Sequence, residues 1–401
     1  MRIGFYGNTN NYPLILALAM RRQGHEVVFT LSSATPLDRP ENRYPDLSPP
    51  YPDWIRDFTP MWKTYFRTPW RRRCIDLLRG CDFVVLNQIG PSLARAIGRP
   101  AIALLTGSDL QYFASNATLR GVLRESHREP AWFAIPMKLA TFPSLIRRQR
   151  QGIGEARLVT HFARGLVPEG DRMLDELGVP DARRMMLLMT ETDRIPFVTP
   201  PANETIRIFC ATRLNWKRPV PPGFVEMDYK GSDVMIRGIA LFLRESGKRL
   251  DVRLVRKGLH VRETMDLIQQ EGLAEQVTWL DEMSQEAVFE EYRRADILFE
   301  QLDRSHVGMA GLDGMATGRP LIANGHPEIS EALAVEASPI CQARTPEEVA
   351  RQLVRLVPDA EERARVGAAS RRYVEKYFSA ESAARSCVER MRPHLTGAAV
   401  A

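Results

Sequence analysis

Short apolar runs and longer amphipathic stretches alternate along most of this chain. Arg2–Tyr6 is an apolar run stopped at Gly7, Leu14–Arg22 carries apolar residues at helical spacing up to Gly24, and 25–31 (HEVVFTL) is apolar again. Strand, loop, helix, strand predicts the opening of a parallel sheet, whose strands read as near-continuous apolar runs because helices cover both faces. Phe83–Leu86, Ala101–Leu105 and Leu158–His161 predict further strands, the last followed by a helix over 171–179. Residues 32–73 interrupt the rhythm with prolines and read as an insertion or long loop.

A second alternation starts after Thr190–Asn203 (TETDRIPFVTPPAN), a polar, proline-containing run without a period that reads as a boundary. Strands are predicted at Thr205–Thr212, Leu250–Arg256, Val277–Leu280, Asp296–Gln301 and Pro320–Asn324. Helices are predicted between them at Ser232–Glu245, Val261–Glu271, Gln285–Arg293 and Met309–Thr317. Glu347–Leu356 and one long helix around Ala360–Met391 close the chain. The predicted fold class is α/β with two doubly wound domains, 1–189 and 205–375, joined by a linker at 190–204. Residues 376–401 read as a C-terminal helix and tail available to pack back on the first domain.

Composition narrows this picture only slightly. With 401 residues, 44% hydrophobic and 26% charged, the chain is neither disordered nor fibrous. Five scattered cysteines without a CxxC pair predict no disulfide framework and no zinc site, and fit a reducing compartment. MRIGFYGN lacks a signal-peptide pattern and no window is apolar enough to span a membrane, so a cytoplasmic protein is expected. The net charge of +6 is carried by seven lysines and 48 arginines, a mild excess that favours anionic ligands without requiring nucleic acid.

The candidate chemistry lies in the second domain. In GMAGLDGMATGRPLIAN, Gly308 precedes a short helix and Gly311 and Gly314 keep its first turns slim. Such an N-terminus lets backbone N–H groups approach a phosphate or sugar oxygen. Asp313 in this helix suits a pair of vicinal hydroxyls, or equally the helix dipole alone. Upstream, the Thr205–Thr212 strand ends at Arg213, and Lys230-Gly231-Ser232-Asp233 opens the next helix. Two cations at the carboxyl edge of a parallel sheet suit a diphosphate, or are simply solvated.

In this order, RL…KGSDVMIRGIALF, GLAEQVTWLDEMSQEAVFEEYRRADILFEQL and GMAGLDGMATGRPLIANGHPEI resemble the nucleotide-binding domain of the family-4 retaining glycosyltransferases (group 1), across about residues 205–330. The resemblance is weaker at GNTNNYPLILALAMRRQGHEVV and at LLTGSDL. It implies the GT-B fold, two Rossmann-like domains facing across a cleft, and a hexosyl-type transferase that moves a sugar from a nucleoside-diphosphate sugar to a glycan, glycolipid or other hydroxyl, with retention. Arg213 and Lys230 would bind the donor diphosphate and assist its departure. Gly308, Met309 and Ala310 would meet phosphate and sugar through backbone, Asp313 the ribose, Gly7 and Asn8 the donor loop, and Trp279 to Met283 the base.

Three departures stand out. The family's first acidic position falls at Ser305, beside His306, with Glu300-Gln301 as a substitute pair. The second is Asp313, one methylene shorter. Thr106 stands where relatives carry His before Gly-Ser-Asp, here ending in Asp109. His161, His306 and His326 are candidates for the missing contacts, and Thr106, Asp109 and His161 form the acceptor or sugar side. The implied donor is of UDP or GDP type, with no permanently bound cofactor and no bound metal.

Trp62-Lys63, Tyr65-Phe66-Arg67 and Trp70 to Arg73 interleave aromatics with cations, as do Trp132-Phe133, Lys138 and Arg147, Arg148 and Arg150. That mixture suits a peripheral contact with an anionic membrane near a lipid-linked acceptor in surface polysaccharide synthesis, at the inner face of the plasma membrane, or equally an amphipathic helix with a solvated face. No nucleic-acid partner is expected. The substitutions at Ser305 and Thr106 keep two other readings open: a non-catalytic GT-B scaffold that binds nucleotide or glycan, and a nucleotide-sugar epimerase.

Overall fold

In a computed structural model of the chain, residues 1–116, 134–201, 203–219, 228–303, 307–328 and 336–395 are described, with side chains in the helix Ala134–Glu155 from 140 onward. Ser305, His306, Trp132, Phe133 and the Lys138 side chain lie outside that set. The chain divides into two compact units, Met1–Leu187 with Ala383–Ala401, and Leu188–Ser382.

Unit 1 is built on a seven-stranded, all-parallel sheet of order β3-β2-β1-β4-β5-β6-β7. Its strands are β1 Arg2–Tyr6, β2 Glu26–Leu31, β3 Ile55–Asp57, β4 Phe83–Leu86, β5 Ala101–Leu104, β6 Leu158–Thr160 and β7 Arg184–Met185. Ile3, Phe5, Phe29, Phe83, Val84, Val85 and Ile102 are fully buried, which is why these runs carry no polar alternation. Burying one such side chain contributes roughly 1.5–3 kcal/mol. Register follows from that burial: Gly4 pairs with Val28 on one side and Val84 on the other.

Residues 32–73 are more regular than the prolines imply. They hold β3, paired parallel to β2, a short helix Trp62–Tyr65, and the start of the helix Pro69–Arg79. Pro69 sits in the first turn, where its missing N–H costs nothing, and the Thr68 hydroxyl caps it by accepting the Arg71 N–H at 3.0 Å.

Unit 2 has a six-stranded parallel sheet of order β10-β9-β8-β11-β12-β13. Its strands are β8 Arg207–Cys210, β9 Asp251–Val255, β10 Val277–Leu280, β11 Ile297–Phe299, β12 Leu321–Ala323 and β13 Cys341–Gln342. Helices Ser232–Ser246, Val261–Gln270, Gln285–Arg294, Met309–Ala316 and Pro346–Leu356 connect and cover them. Both sheets thus have the Rossmann-like 3-2-1-4-5-6 order, as expected for two doubly wound domains.

The single helix expected around Ala360–Met391 is two, Ala360–Tyr377 and Ala380–Met391. The cause is Thr190: its N–H donates to Phe378 O at 2.8 Å and its carbonyl accepts the Ala380 N–H at 2.9 Å. The segment read as a linker is seated on unit 2, with Thr190, Glu191 and Ile195 buried. Arg371 holds it through the Thr192 and Ile195 carbonyls, and the buried Arg319 reaches the Val198 carbonyl at 2.6 Å.

Candidate functional site

In each sheet the chain winds outward one way from the first strand and returns on its other side. The loops leaving those two adjacent strands diverge, and their carboxyl ends open a crevice where such folds take ligands. In unit 2 the strands are β8 and β11. The first leads to Thr212 and Arg213, the second to Glu300 and Gln301.

Arg213 is exposed there. Lys230 is half-buried, and its backbone is pinned on both sides: its N–H donates to Asn215 O at 2.7 Å, and its carbonyl accepts the Leu302 N–H at 2.9 Å. Gly231 follows with φ +69°, and a Cβ there would lie 3.0 Å from the Asp303 nitrogen, so the turn into Ser232–Ser246 requires glycine. Lys230 Nζ donates to Gln301 Oε1 at 2.8 Å. Burial pulls the Lys230 ammonium below the usual lysine range, Glu300 and Asp228 oppose that, and Arg213 adds to it. A half-buried cation beside an exposed one is a competent anion hook, because each prefers a negative partner to its neighbour.

Glu300 is buried, with 5% of its surface exposed, and its Oε2 accepts the Gly308 N–H at 3.2 Å. Burial pushes its carboxyl above the usual range, against Lys230 and several hydrogen bonds. Gly308 caps the helix Met309–Ala316, and Gly308, Met309 and Ala310 are partly exposed. The structure therefore gathers Arg213, Lys230, Gln301 and the Gly308 N-terminus along one edge. Trp279 lies in β10, the edge strand two places from β8, half-buried against the core, and Met283 packs on the neighbouring apolar cluster.

Asp313, the residue expected to meet the ribose, is buried at 5% exposure, and its Oδ1 accepts a hydrogen bond from the Thr190 hydroxyl within unit 2.

Unit 1 spends its matching edge differently. Asn8, 1% exposed, donates through Nδ2 to Asn11 Oδ1 and Asp38 O, both at 2.8 Å, and its Oδ1 accepts the Leu14 N–H at 3.2 Å. It anchors the helix Tyr12–Arg22, with both Nδ2 protons and one Oδ1 lone pair engaged inside unit 1. Gly7, with φ +83°, is glycine because a Cβ would sit 2.8 Å from Asn87 O. Asp109 is fully buried: Oδ2 accepts the Thr106 N–H at 2.6 Å and its hydroxyl at 2.7 Å, and Oδ1 accepts Asn87 Nδ2 at 3.2 Å. Asp109 and Thr106 are thus consumed in locking their own loop, and burial pushes the Asp109 carboxyl up to about 6.

Asn87, Gln88 and Gln149 complete this network and carried no signal in the sequence beyond an amide pair directly after an apolar strand. Gln149 bridges Ser92 N–H and Gln88 O at 3.0 and 2.8 Å, and Gln88 bonds Asp38 and Ser32. His161 stands apart from it, half-buried, its Nε2 without a hydrogen-bond partner among the described residues. Burial drives its imidazole down to about 4. Elsewhere, His326 bridges Asn324 and Glu328 in unit 2, at 2.9 and 3.0 Å.

Residues 227–373 match the family model "Glycosyl transferases group 1", a span that includes Lys230, Glu300 and the Gly308 helix. No curated protein matches the chain. Among solved structures, HepE of Anabaena in complex with UDP and glucose is similar at TM-score 0.60 and 13% identity, over 98% of this chain and 100% of that one. A glycosyltransferase from Rickettsia africae gives 0.62 and 12%, over 99% of each chain. Sucrose-phosphate synthase from Thermosynechococcus elongatus gives 0.58 and 12%, over 99% of this chain and 100% of that one. At such identities the likeness is one of fold, and it extends to both units. The chain thus resembles the group 1 glycosyltransferases of GT-B fold, with residues 227–373 as the segment that matches the family.

Proposed function

We propose that this protein transfers a sugar from a nucleoside-diphosphate sugar to an acceptor hydroxyl, with retention of configuration. The observation that carries the reading is the cationic edge of unit 2: exposed Arg213 and half-buried Lys230 beside the Gly308 helix N-terminus, the latter two inside the family-matched span. The donor diphosphate binds Arg213 and Lys230, with the Gly308, Met309 and Ala310 backbone lending partial positive charge. As the sugar–phosphate bond breaks, negative charge grows on the leaving diphosphate, and fixed donors stabilise it without reorganising. Retention, a hexosyl donor and a glycan or lipid-linked acceptor follow from the resemblance alone.

The test is calorimetric titration with UDP and GDP, followed by turnover of their glucose conjugates. UDP is the first probe because HepE of Anabaena was solved with it. Arg213→Ala and Lys230→Ala should each weaken binding by about 1–3 kcal/mol, as expected for charged hydrogen bonds. Unchanged affinity in both variants places the donor elsewhere, and binding without turnover favours the scaffold reading.

The acceptor side includes an anionic membrane contact through unit 1. Trp62 and Trp70 are both 47% exposed, their rings packed edge-to-face at 6.2 Å, with Arg67, Arg72 and Arg73 exposed around them. Amphipathic aromatics beside arginines suit a headgroup layer. Replacing Trp62 and Trp70 with Ser should reduce cosedimentation with phosphatidylglycerol vesicles while UDP affinity holds. Equal sedimentation rejects the contact. Among the described residues no helix is long and apolar enough to cross a membrane.

A further inference from the structure

Glu300 occupies an unusual place for a buried carboxylate. It directly follows β11 at the carboxyl edge of the sheet, and its Oε2 accepts the Gly308 N–H at 3.2 Å. Gly308 is the N-cap of Met309–Ala316, so this acceptor sits where a helix N-terminus draws an anionic ligand. The next residue, Gln301, accepts Lys230 Nζ at 2.8 Å. Glu300 is 5% exposed, so its hydrogen-bond partners come mainly from the protein.

Charged and titratable groups reach this carboxyl from each element around it. Lys230 bears on it from the turn before Ser232–Ser246, with Arg213, Asp228 and Asp303 acting on that lysine in turn. The Cys210 thiol faces it from β8 and the Tyr292 phenol from Gln285–Arg294, the latter also close to Asp313. Among the described residues Lys230 is the cation that acts on Glu300 directly, and it is also a donor ligand in the function proposed above.

Resting on that function, we propose that Glu300 is an internal rival of the donor diphosphate: its ionised carboxylate holds the Gly308 amide and attracts the Lys230 charge, and the phosphate binds as Glu300 takes up a proton. The bookkeeping is simple. One proton moves from solvent to a Glu300 oxygen, no covalent bond other than that O–H forms, and the Gly308 N–H passes from carboxylate to phosphate. Protonated Glu300 no longer repels the ligand and has an O–H to offer it. Burial already favours the neutral form of this carboxyl, and an arriving phosphate adds like charge in the same direction.

The test is calorimetric titration of the full chain and of Glu300→Gln with UDP and with inorganic pyrophosphate, between about pH 5.5 and about pH 8.5, in buffers of different ionisation heat. The amide keeps the shape and the acceptor for Gly308 but cannot ionise. In the wild type, affinity should rise as pH falls, by up to about tenfold per pH unit beyond the ligand's own protonation, with net proton uptake by the protein. Glu300→Gln should bind at least about tenfold more tightly near pH 8 and show only the ligand's own pH dependence. If the variant melts early, the wild-type proton uptake, read from buffer-dependent heats after subtracting the ligand's ionisation, decides alone.

Equal UDP affinity and equal proton uptake in both proteins overturns the role of Glu300 and leaves the donor site standing. The expected difference with pyrophosphate, together with no gain from the nucleoside of UDP, upholds Glu300 and removes the nucleotide reading. No binding of either probe to either protein overturns both.

Discussion

Two sheets of one strand order carry opposite chemistry on the same edge. In unit 1 the residues after β1, β4 and β5 are amides, a hydroxyl and a carboxyl that bond one another, with Asn8, Asn87 and Asp109 at most 1% exposed. In unit 2 the residues after β8 and β11 include an exposed Arg213, a half-buried Lys230 and a buried Glu300 that holds a helix N-terminus. Topology supplies a crevice at both places. Side chains decide whether its polar groups act as pegs for the loops or remain available to a ligand. The shared strand order therefore does not separate the two edges; the hydrogen bonds of their side chains do.

The largest expected effect breaks the closed edge. Asp109→Ala would strip the acceptor from the half-buried Thr106 N–H and hydroxyl, and one of three acceptors from the buried Asn87 Nδ2. Leaving buried donors unpaired costs about 1–3 kcal/mol, so a loss of roughly 3 kcal/mol is expected in urea denaturation followed by fluorescence. UDP affinity, proposed to reside in the other unit, should stay within about twofold in the folded protein. A large drop in UDP affinity with unchanged stability would reassign Asp109 to substrate.

The contrast also explains what was legible beforehand. Long apolar strands and amphipathic helices announce themselves, and the cationic edge of unit 2 showed through Arg213, Lys230 and the Gly308 helix. Strands β3, β7 and β13 did not, because IRD, RM and CQ carry charged or polar residues where the comparably short β6, β11 and β12 are mainly apolar runs. The helix break after Tyr377 was hidden because it is imposed by the Thr190 backbone and marked by no Pro or Gly. Asn8, Thr106 and Asp109 read as candidate ligand contacts in the sequence, where a polar residue after a strand fits either use, ligand or loop. Telling the uses apart needs Asn87, Gln88 and Gln149, which are brought to them only by the fold.

A middle-sized effect sharpens the comparison through pH. His161 in unit 1 is held neutral by burial, its imidazole near 4 against the ordinary 6.5. The unfolded chain therefore binds a proton that the folded one refuses, so stability is full above about pH 6.5 and falls as pH drops toward about 4. With the site partly exposed, about 2 kcal/mol is expected across that window. His161→Gln should flatten the difference curve in melting temperature against pH. An unaltered curve would mean that the imidazole is solvated and available to substrate after all.

The smallest stability effect tests the open edge. Gly308 has φ −92°, ordinary for any residue, and a Cβ there would lie 3.3 Å from Gln301 Nε2 and 3.5 Å from Glu300 Oε1. These are ends of side chains, able to give by a few tenths of an ångström, so Gly308→Ala should cost less than about 1 kcal/mol in denaturation. Its methyl, however, projects beside the same N–H that the donor phosphate is proposed to reach. A loss of about tenfold or more in UDP affinity at nearly unchanged stability is the expected signature of an edge built for a ligand. Unchanged affinity would mean that the phosphate does not approach the Gly308 N-terminus, and would move the donor toward Arg213 and Lys230 alone. A large loss of stability would mean that this edge, like the one in unit 1, is closed by packing.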